Sequence, residues 1–463
     1  MATRAVLLIE YMRDSHRPTH ACAHDSVKTS FACGQRGGLV YEFSTAFAYS
    51  HCMTDFQAKL DRKMALSRTF TPAAPVSRRD AFSGRFQQIT DVVTAVSEPG
   101  RHVILYGERG VGKTSLANIL SELLVPVGSG RREFAKRITC NAGDTFRSIW
   151  RRAFQALDLE IPEEWSYGAP NPDDIRIALS GLTPSMVIVF DEYDRIDDDE
   201  TLSAMADTLK TLSDHVVQTK LVIVGVSDSI EALVGEHESV KRAVEEVQMP
   251  RMSRLEIMSI VDRGFREVGM NIEDDALIRV TKIAEGLPTY AHLLALKAGH
   301  RAIDLDESTV SLTHVDAAVA DVLDSHMSMA AYSGAVQSSR SDSLYAQVLV
   351  ACALTPKDGL GYFTAGAVRE PLSRIMGRRY EIPAFARHLN AFMSIERGSV
   401  LQRIGVERNF RYRFRDPLLP PYALLSGIAG NLIPEDYVSE LFAPDPDVDW
   451  DELLANLLAE EKK

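Results

Sequence analysis

The amino-acid sequence predicts an α/β domain with a parallel sheet, then a small helical domain, then a C-terminal domain of helices and a β-hairpin. Short apolar runs alternate with amphipathic helices in the first half of the chain. These runs are unbroken Val and Ile rather than alternating with polar residues, which is typical of parallel strands buried on both faces. The length of 463 residues corresponds to about three domains of ordinary size.

The α/β domain is predicted to cover residues 56–250. A proline-set extended segment, Phe70–Pro75, and an amphipathic helix, Phe86–Val96, precede its first strand. The predicted strands are His102–Tyr106, Arg137–Cys140, Met186–Phe190, Leu221–Gly225 and, more weakly, Val247–Met249. Helical crossovers between them imply a parallel sheet with helices on both faces.

The helical domain is predicted over residues 251–330, without a strand-like run. Its helices follow from a 3.6-residue apolar period and are Leu255–Val268, Glu273–Glu285, Pro288–Ala298 and His314–Leu323. Residues 331–343 are rich in Ser, Ala and Gly, and we expect them to be an interdomain linker.

The C-terminal domain is predicted over residues 344–425. Its predicted elements are the helices Leu344–Leu354, Thr364–Met376 and Ile382–Ser394 and the strands Ser399–Ile404 and Phe410–Phe414. Three helices and a hairpin are the outline of a winged helix-turn-helix. Residues 426–463 are expected to be an acidic tail, since positions 434–463 carry a net charge of −8.

Composition and charge exclude several classes of protein. The chain has 51 Lys and Arg against 64 Asp and Glu, a formal charge of −13, so it is not basic throughout as a histone-like protein would be. No apolar run approaches the ~18 residues needed to span a membrane. The short N-terminal apolar run Ala5–Ile9 lacks the features of a secretory signal. We therefore expect a cytoplasmic protein with no membrane contact.

Residues 1–55 are predicted to be a poorly structured leader, and Met53 is a possible alternative start of translation. The leader lacks amphipathic periodicity and is rich in Ser, Thr, Gly and His. Cys22, Cys33 and Cys52 lie near four histidines there, and His16, His20 and His24 have His-x-x-x-His spacing, but no Cys-x-x-Cys pair accompanies them. A zinc site is therefore not favoured.

A glycine-rich turn follows the first predicted strand and precedes a helix predicted from Lys113 to about Leu124. It matches the pattern G-x-x-x-x-G-K-[ST] with Gly107, Glu108, Arg109, Gly110, Val111, Gly112, Lys113 and Thr114. Glycines let the backbone N–H groups point at phosphate oxygens, and the helix N-terminus adds partial positive charge. Lys113 should contact the β- and γ-phosphates, and the Thr114 hydroxyl should ligate Mg²⁺. We predict an ATP-binding loop that extends to Ser115.

Two carboxylates follow the third predicted strand. Asp191 and Glu192 end the apolar run Val187–Phe190, at the edge of the sheet where the phosphate loop also lies. Asp191 is expected to hold Mg²⁺ through water, and Glu192 to polarise the attacking water. Nearby Asp194 and Asp197–Asp199 are expected to form a solvated turn.

With these motifs, the chain resembles the AAA+ ATPases, in the branch that contains origin-recognition and initiator ATPases and the related STAND signalling ATPases. The resemblance covers about residues 70–425 and rests on the phosphate loop, the Asp191-Glu192 strand end, the helical domain as a lid, and the winged helix. Gly286-Leu287-Pro288 occurs where initiators carry a second sensor. Thr289 to His292 contain no arginine, which is similar to the Gly-x-Pro motif of STAND proteins.

The resemblance implies further roles. Ser227, or its neighbour Asp228, is where the family senses the γ-phosphate, although a helix N-cap would use the same residue types. Arg242 is the candidate arginine finger for a neighbouring subunit of a homo-oligomer, or else a surface residue. Phe82–Arg85 is similar to the segment that commonly packs near adenine.

The predicted winged helix is strongly basic. Between positions 369 and 415 it has four acids, no Lys and eleven arginines, namely Arg369, Arg374, Arg378, Arg379, Arg387, Arg397, Arg403, Arg408, Arg411, Arg413 and Arg415. Such residues suit phosphate contacts with double-stranded DNA, and His388 and Asn390 are candidates for base edges. The same arginines could instead pair with acidic surfaces of this chain or dock a protein partner.

The sequence therefore predicts an ATP hydrolase that binds Mg-ATP and uses it to drive or switch assembly. DNA contact through the winged helix is the favoured partner interaction. The alternative is a STAND-like signalling or defence regulator, in which ATP acts as a latch and the C-terminal domain docks a protein.

Overall fold

The structure is a computed structural model that describes residues 56–76, 84–124, 135–182, 186–226, 238–325, 328–338, 343–406 and 409–443. The predicted leader and its cysteines lie outside these ranges, as does the end of the predicted tail. Among the described residues, no helix combines the length and apolar character needed to cross a bilayer.

A parallel five-stranded sheet forms the centre of the α/β domain. Its strands are β1 (His102–Gly107), β2 (Ala135–Thr139), β3 (Val187–Asp191), β4 (Lys220–Val226) and β5 (Val244–Met249). They are ordered β2-β3-β4-β1-β5, and every pairing is parallel. The predicted α/β fold is confirmed, and the carboxyl ends of β1 and β3 share one edge, separated only by β4.

Helices cover both faces of this sheet. Those that precede or connect the strands are α1 (residues 56–69), α2 (Phe86–Ser97), α3 (Lys113–Leu123), α4 (Phe146–Ala156), α5 (Pro172–Ser180), α6 (Asp199–Asp214) and α7 (Glu238–Ala243). On one face α4 buries Trp150 and Phe154 against Phe190 of β3. On the other, Leu116 and Leu120 of α3 pack with the valines of β1 and β4.

The lid follows β5 and is built on α8 (Arg254–Glu267), α9 (Asp274–Ala284), α10 (Pro288–Asp304) and α11 (Leu312–Ser325). A capping box starts α8, in which the Ser253 and Glu256 side chains satisfy each other's backbone N–H groups. Two short strands that the apolar period did not predict, β6 (Asn271–Ile272) and β7 (Thr309–Val310), pair in parallel.

Helix α1 belongs with the lid rather than with the α/β domain to which residues 56–250 were assigned. Leu66 and Phe70 are buried in the same apolar cluster as α8 and α10. Gly264 and Gly299 make room for them, since a Cβ at Gly264 would lie 2.5 Å from the Phe70 ring.

The C-terminal domain contains the predicted helices and hairpin, and more. Its helices are α12 (Ser328–Val336), α13 (Tyr345–Leu354), α14 (Ala365–Met376), α15 (Ile382–Ala391), α16 (Leu419–Ala429) and α17 (Glu435–Phe442). Strands β8 (Phe363–Thr364), β9 (Leu401–Ile404) and β10 (Arg411–Phe414) form an antiparallel sheet ordered β8-β10-β9.

Two predicted boundaries in this part of the chain are wrong. The linker expected at 331–343 contains most of α12, because Ala335 is buried in the C-terminal core. The tail expected from 426 onward begins with the end of α16 and includes α17, whose Tyr437 is 5% exposed. Each of these helices buries a few apolar side chains in the C-terminal core. This burial stabilises them as packed helices, although α12 is rich in small residues and the segment of α17 is acidic.

Candidate functional site

The turn between β1 and α3 has the backbone that its glycines predict. Gly107, Gly110 and Gly112 have φ values of +153°, +84° and +99°, which residues with a Cβ rarely adopt. A Cβ at Gly107 would collide with the carbonyl oxygen of Met249 on β5. The loop is therefore held close to the sheet, and α3 begins at Lys113 with its N-terminus at the loop.

Lys113 lies in the concavity of this loop. Its Nζ donates to the carbonyl oxygens of Gly107 at 3.0 Å and Glu108 at 2.9 Å, and the residue is 7% exposed. Burial lowers the pKa of the amine to about 8, against the opposing effect of carboxylates that include Asp194 and Asp191. A buried cation beside glycine N–H groups is suited to an anion, and phosphate fits this set of donors.

Asp191 ends β3 directly opposite the start of α3. The Thr114 Oγ1 donates to Asp191 Oδ1 at 3.3 Å, and the Glu192 N–H donates to the same oxygen at 2.9 Å. Arg137 of β2 donates from Nη1 to the other oxygen, Oδ2, at 3.0 Å. A carboxylate and a hydroxyl in contact are the hard oxygen donors that Mg²⁺ prefers, so these residues fit the predicted ion.

Glu192 is held in a left-handed backbone conformation with φ of +55°. Its carboxylate accepts a hydrogen bond from Arg195 Nη1 at 2.8 Å, and both side chains are about half exposed. Glu192 therefore reaches the solvent side of Asp191, where a water could be bound.

Asp194 is exposed in the turn after β3, as expected, but it also has a structural contact. Its Oδ1 accepts a hydrogen bond from the backbone N–H of Val226 at 2.7 Å, which ties the segment after β3 to the end of β4. The predicted sensor Ser227 and its neighbour Asp228 lie outside the described residues.

These groups line one cavity of about 860 Å³ at the carboxyl edge of the sheet. Its walls come from the sheet edge, the lid and the C-terminal domain. The predicted residues that line it are Arg109, Gly110, Gly112, Lys113, Thr114, Ser115, Asp191 and Glu192. The lid contributes Pro288, Thr289 and His292, and the C-terminal domain contributes Arg415.

The extended segment 71–76 forms another wall of the cavity. Ser115 Oγ accepts from the Val76 N–H at 3.1 Å, and Asn118 Nδ2 donates to the Val76 carbonyl oxygen at 3.1 Å. At its other end, the Thr71 N–H donates to Nδ1 of His292 at 3.1 Å. Burial lowers the pKa of His292 to about 4, so its ring is neutral near neutral pH and serves as an acceptor.

Several predicted site residues lie away from the cavity. Gly107, Glu108 and Val111 form the back of the loop, and Glu108 is buried against Arg251. Arg242 is exposed on α7 and is not among the lining residues.

Gly84 and Arg85 are the described part of the segment expected near adenine, since Phe82 and Ser83 lie outside the described residues, and Arg85 is the one with a side chain at the loop. Arg85 is 2% exposed, and its Nη2 donates to the carbonyl oxygens of Val111 at 3.0 Å and Pro250 at 2.6 Å. It thus supports the loop from behind.

Most of the clustered arginines contact other parts of their own chain. Arg374 donates to Glu440 Oε1 at 3.0 Å and lies over the Tyr437 ring. Arg397 donates to the Ala335 carbonyl oxygen at 2.6 Å. Their partners include residues of the segment expected to be a tail, so intramolecular pairing accounts for much of this basic region.

The predicted base contact by His388 is wrong. His388 is 2% exposed and packs against Tyr345, with ring centroids 4.8 Å apart. Its neighbours Arg387 and Asn390 are exposed on α15, while Arg408 lies outside the described residues.

Two residues at the site were missed from the sequence. Arg137 lies in β2 beside Lys136 and Thr139, so a charged residue there was not distinctive. Arg415 was counted only among the clustered arginines, because only the fold brings it to the cavity.

Comparison with known proteins agrees with this geometry. Residues 96–234, which include the loop, Asp191 and Glu192, match the protein-family model described as the AAA domain. The chain is similar to Cdc6p from Pyrobaculum aerophilum, with 16% identity over 80% of this chain and 98% of that chain and a TM-score of 0.43. It is also similar to the Aeropyrum pernix ORC1 protein, solved in complex with DNA, with 18% identity over 78% and 95% of the two chains and a TM-score of 0.41.

A third similar structure is the RuvB Holliday junction branch migration motor of Thermotoga maritima, with 13% identity over 72% of this chain and 93% of that chain and a TM-score of 0.40. No curated protein sequence matches the chain. Together with the loop and the strand order, the family match indicates that residues 96–234 form an AAA domain with the P-loop fold.

Proposed function

We propose that the chain binds Mg-ATP in the cavity at the sheet edge and transfers the terminal phosphoryl group to water, using the nucleotide to switch an assembly. The observation that carries the proposal is the convergence of Lys113, Thr114, Asp191 and Glu192 on one cavity that also has a lid wall. Catalysis of this kind depends on positioning and charge stabilisation rather than on covalent chemistry by the protein.

Each residue has a distinct role in this proposal. Lys113 binds the phosphate oxygens, and the loop N–H groups and the N-terminus of α3 add to the positive potential. Thr114 and Asp191 hold Mg²⁺, which when bound neutralises charge on the phosphates. Glu192 orients the water that attacks, once its carboxylate is released from Arg195.

Two variants test these assignments. Lys113→Ala should abolish tight binding of a fluorescent ATP analogue, because the cation inside the loop is lost. Glu192→Gln should bind the analogue as the wild type does but hydrolyse ATP at least about a hundredfold more slowly, the usual scale of general acid–base catalysis.

Arg195→Gln is the matched control for Glu192→Gln, because it removes the partner and keeps the carboxylate. Unchanged affinity in Lys113→Ala would refute the phosphate-loop assignment. Wild-type turnover in Glu192→Gln would show that another group positions the water.

Arg242 is proposed to complete the site of a neighbouring subunit in a homo-oligomer. Arg242 is exposed and is not among the residues that line its own chain's cavity, which supports a role between subunits rather than within one. Ser227 is proposed as the γ-phosphate sensor because it immediately follows β4, whose Gly225 and Val226 line the cavity.

Double-stranded DNA is the proposed partner of the winged helix. Arg387 and Asn390, exposed on α15, the third helix of the predicted winged helix-turn-helix, are the residues proposed to face it. Binding by the full chain should then weaken linearly on a plot of log affinity against log salt, because phosphate contacts release counterions.

A second candidate function is a STAND-like regulator whose C-terminal domain docks a protein. This candidate is favoured because Arg374, Arg397 and Arg411 bind other residues of their own chain and so are less available to DNA. Arg411, for example, pairs with Asp358 at 3.1 Å. If DNA affinity is absent at low salt and Arg387→Ala changes nothing, this candidate replaces the DNA-binding one.

A further inference from the structure

Arg137 binds the carboxylate of the proposed magnesium site from the edge strand of the sheet, outside both sequence motifs. Its Nη1 donates to Asp191 Oδ2 at 3.0 Å. Strand β2 is at the edge of the sheet and pairs with β3 so that Thr139 lies opposite Asp191. Arg137 is two residues earlier on β2 and therefore on the same face, and its long side chain spans the diagonal to Asp191. The register of the two strands thus produces this contact.

The two oxygens of the Asp191 carboxylate have different partners. Oδ1 accepts from the Thr114 Oγ1 at 3.3 Å and from the Glu192 N–H at 2.9 Å, whereas Oδ2 accepts from Arg137. Thr114 is the other proposed ligand of Mg²⁺, so Oδ1 is the oxygen that lies beside it. Arg137 therefore holds the carboxylate by the oxygen that is not next to the second ligand.

The backbone of Asp191 is fixed by the same edge strand. The Cys140 N–H, directly after β2, donates to the Asp191 carbonyl oxygen at 2.7 Å. Asp191 is 2% exposed. With its backbone held in the sheet, the freedom left to this residue is rotation of its side chain, and the hydrogen bond from Arg137 restricts that rotation.

A cation beside a metal site has two opposite effects, because it orients the carboxylate and also repels the metal ion. The side chain of Arg137 is 38% exposed, whereas that of Asp191 is 3% exposed. Solvent therefore screens the charge of the guanidinium in part, while the hydrogen bond acts on a buried group. We expect orientation to outweigh repulsion.

The other arginine at this strand end is in a different situation. Arg195 pairs with Glu192 at 2.8 Å, and both side chains are about half exposed. Ion pairs between exposed groups contribute little and separate readily, which suits a glutamate that has to orient water. The pair formed by Arg137 and Asp191 has a buried partner and is the more persistent of the two.

We propose that Arg137 is a positioning residue that orients the Asp191 carboxylate toward Mg²⁺, so that the metal ion strengthens nucleotide binding. Hydrogen-bond partners of a carboxylate ligand fix its orientation, and their loss commonly lowers metal affinity by about 10–100-fold. The inference rests on the proposed Mg-ATP site and adds to it a residue of β2.

The test compares the affinity of the full chain for a fluorescent, non-hydrolysable ATP analogue with Mg²⁺ and with EDTA. The ratio of the two affinities measures what the metal ion contributes. Arg137→Met should lower this ratio by about tenfold and leave the affinity in EDTA unchanged, whereas a general loss of structure would weaken binding in both conditions. Arg137→Lys, which keeps a charge and a donor, should recover part of the ratio.

A double variant shows whether Arg137 acts through Asp191. Asp191→Asn should lower the ratio strongly, and adding Arg137→Met to it should lower the ratio no further, because residues that act as one unit are not additive. Lys136→Met is the matched control, since it removes the neighbouring cation of β2 from the opposite face of the sheet and should keep the wild-type ratio.

The possible results separate this proposal from the proposed function. A ratio lowered in Asp191→Asn but unchanged in Arg137→Met, or additive losses in the double variant, would overturn the role of Arg137 and leave the Mg-ATP site intact. A larger ratio in Arg137→Met would also overturn it, by showing that the guanidinium competes with the metal ion. A wild type that binds the analogue equally well with Mg²⁺ and with EDTA would refute the proposed magnesium site as well.

Discussion

Lys113 shows how a single residue can set the conditions under which this site works. Its amine is buried among loop carbonyl oxygens, and burial lowers its pKa to about 8. Bound phosphates are anionic and stabilise the protonated amine, so the pKa of Lys113 is higher in the complex than in the free protein. The free protein therefore must take up a proton to bind nucleotide at alkaline pH.

The consequence is a pH-dependent affinity. Below about pH 8 the amine is charged in both states and the affinity is constant, whereas above it the affinity should fall by up to about tenfold per pH unit. Calorimetric titration of ADP from about pH 7.5 to 9.5 measures this, and the higher range avoids the titration of the phosphate itself, whose second pKa is about 6.

Lys113→Arg provides the control for this prediction. A guanidinium stays charged across the range, so the affinity of that variant should not change with pH even if it is weaker overall. A flat profile for the wild type would mean that the amine is fully protonated in the free protein.

Residue patterns predicted one part of the site and not another. Residues contiguous in sequence, from Gly107 to Thr114 and at Asp191-Glu192, could be assigned because a strand and a helix place them without help from the rest of the fold. Arg137 and Arg415 could not, since they arrive from another strand and another domain. His388 was misassigned because one sequence does not reveal that its ring packs on Tyr345.

At the scale of elements, prediction succeeded where an element had a strong period of its own. The strands of the central sheet lie within a few residues of their apolar runs, and the main lid helices follow the 3.6-residue period. Prediction failed for β6 and β7, which are two residues each and exist only through their pairing. It also failed for α12, whose apolar residues gave no period until the core around Ala335 was known.

The turn that leads into α10 depends on one glycine. Gly286 has φ of +77°, and a Cβ there would lie 2.5 Å from the Met252 carbonyl oxygen and 3.0 Å from Arg251 Cβ. The Met252 N–H donates to the Gly286 carbonyl oxygen at 2.9 Å, so the two segments are in direct backbone contact. Gly286 thus sets how α10, with its cavity residues, enters the lid.

Gly286→Ala should lower the free energy of unfolding by about 2 kcal/mol or more, because the backbone strain of the left-handed conformation and a steric clash add. Gly269→Ala is the control for the strain alone, since its φ is +70° but a Cβ there would meet nothing within 4 Å. Urea unfolding of the two variants should give a larger loss for Gly286→Ala. Equal losses would show that the lid adjusts to the added Cβ without cost.

At the scale of the whole molecule, a buried chain of charges joins the phosphate loop, the lid and the C-terminal domain. Glu108 accepts two hydrogen bonds from Arg251, at 2.7 and 3.0 Å. Arg251 pairs with Glu285 at 3.1 Å, and Glu285 pairs with Lys357 at 3.0 Å. Burial alone would lower the pKa of Arg251, but Glu108 and Glu285 outweigh it and raise the pKa, so the guanidinium stays charged.

The net charge of −13 does not describe how the charges of this network are arranged. The average acidity excluded only a uniformly basic protein. The fold shows that selected acids and bases are paired between domains, where water is largely excluded and their loss is costly. The sequence contained all four residues but no sign of their contact, because they lie in segments far apart along the chain.

Lys357 is the member of this network that the C-terminal domain contributes, with a side chain 6% exposed. Lys357→Met should lower the free energy of unfolding by about 2 kcal/mol, less than the ~3–5 kcal/mol of a fully unpaired buried charge, because Arg251 still contacts Glu285. Glu285→Gln combined with Lys357→Met should lower the free energy of unfolding by less than the sum of the single changes, with a difference of about 1 kcal/mol.

Urea unfolding followed by far-ultraviolet circular dichroism measures all three variants. The control is Lys210→Met, on the exposed side of α6, which should change the free energy of unfolding by no more than about 0.5 kcal/mol. Strict additivity would mean that Lys357 and Glu285 contribute independently, and the C-terminal domain would then be held on the lid and phosphate loop by other contacts, such as Tyr290 with Leu418.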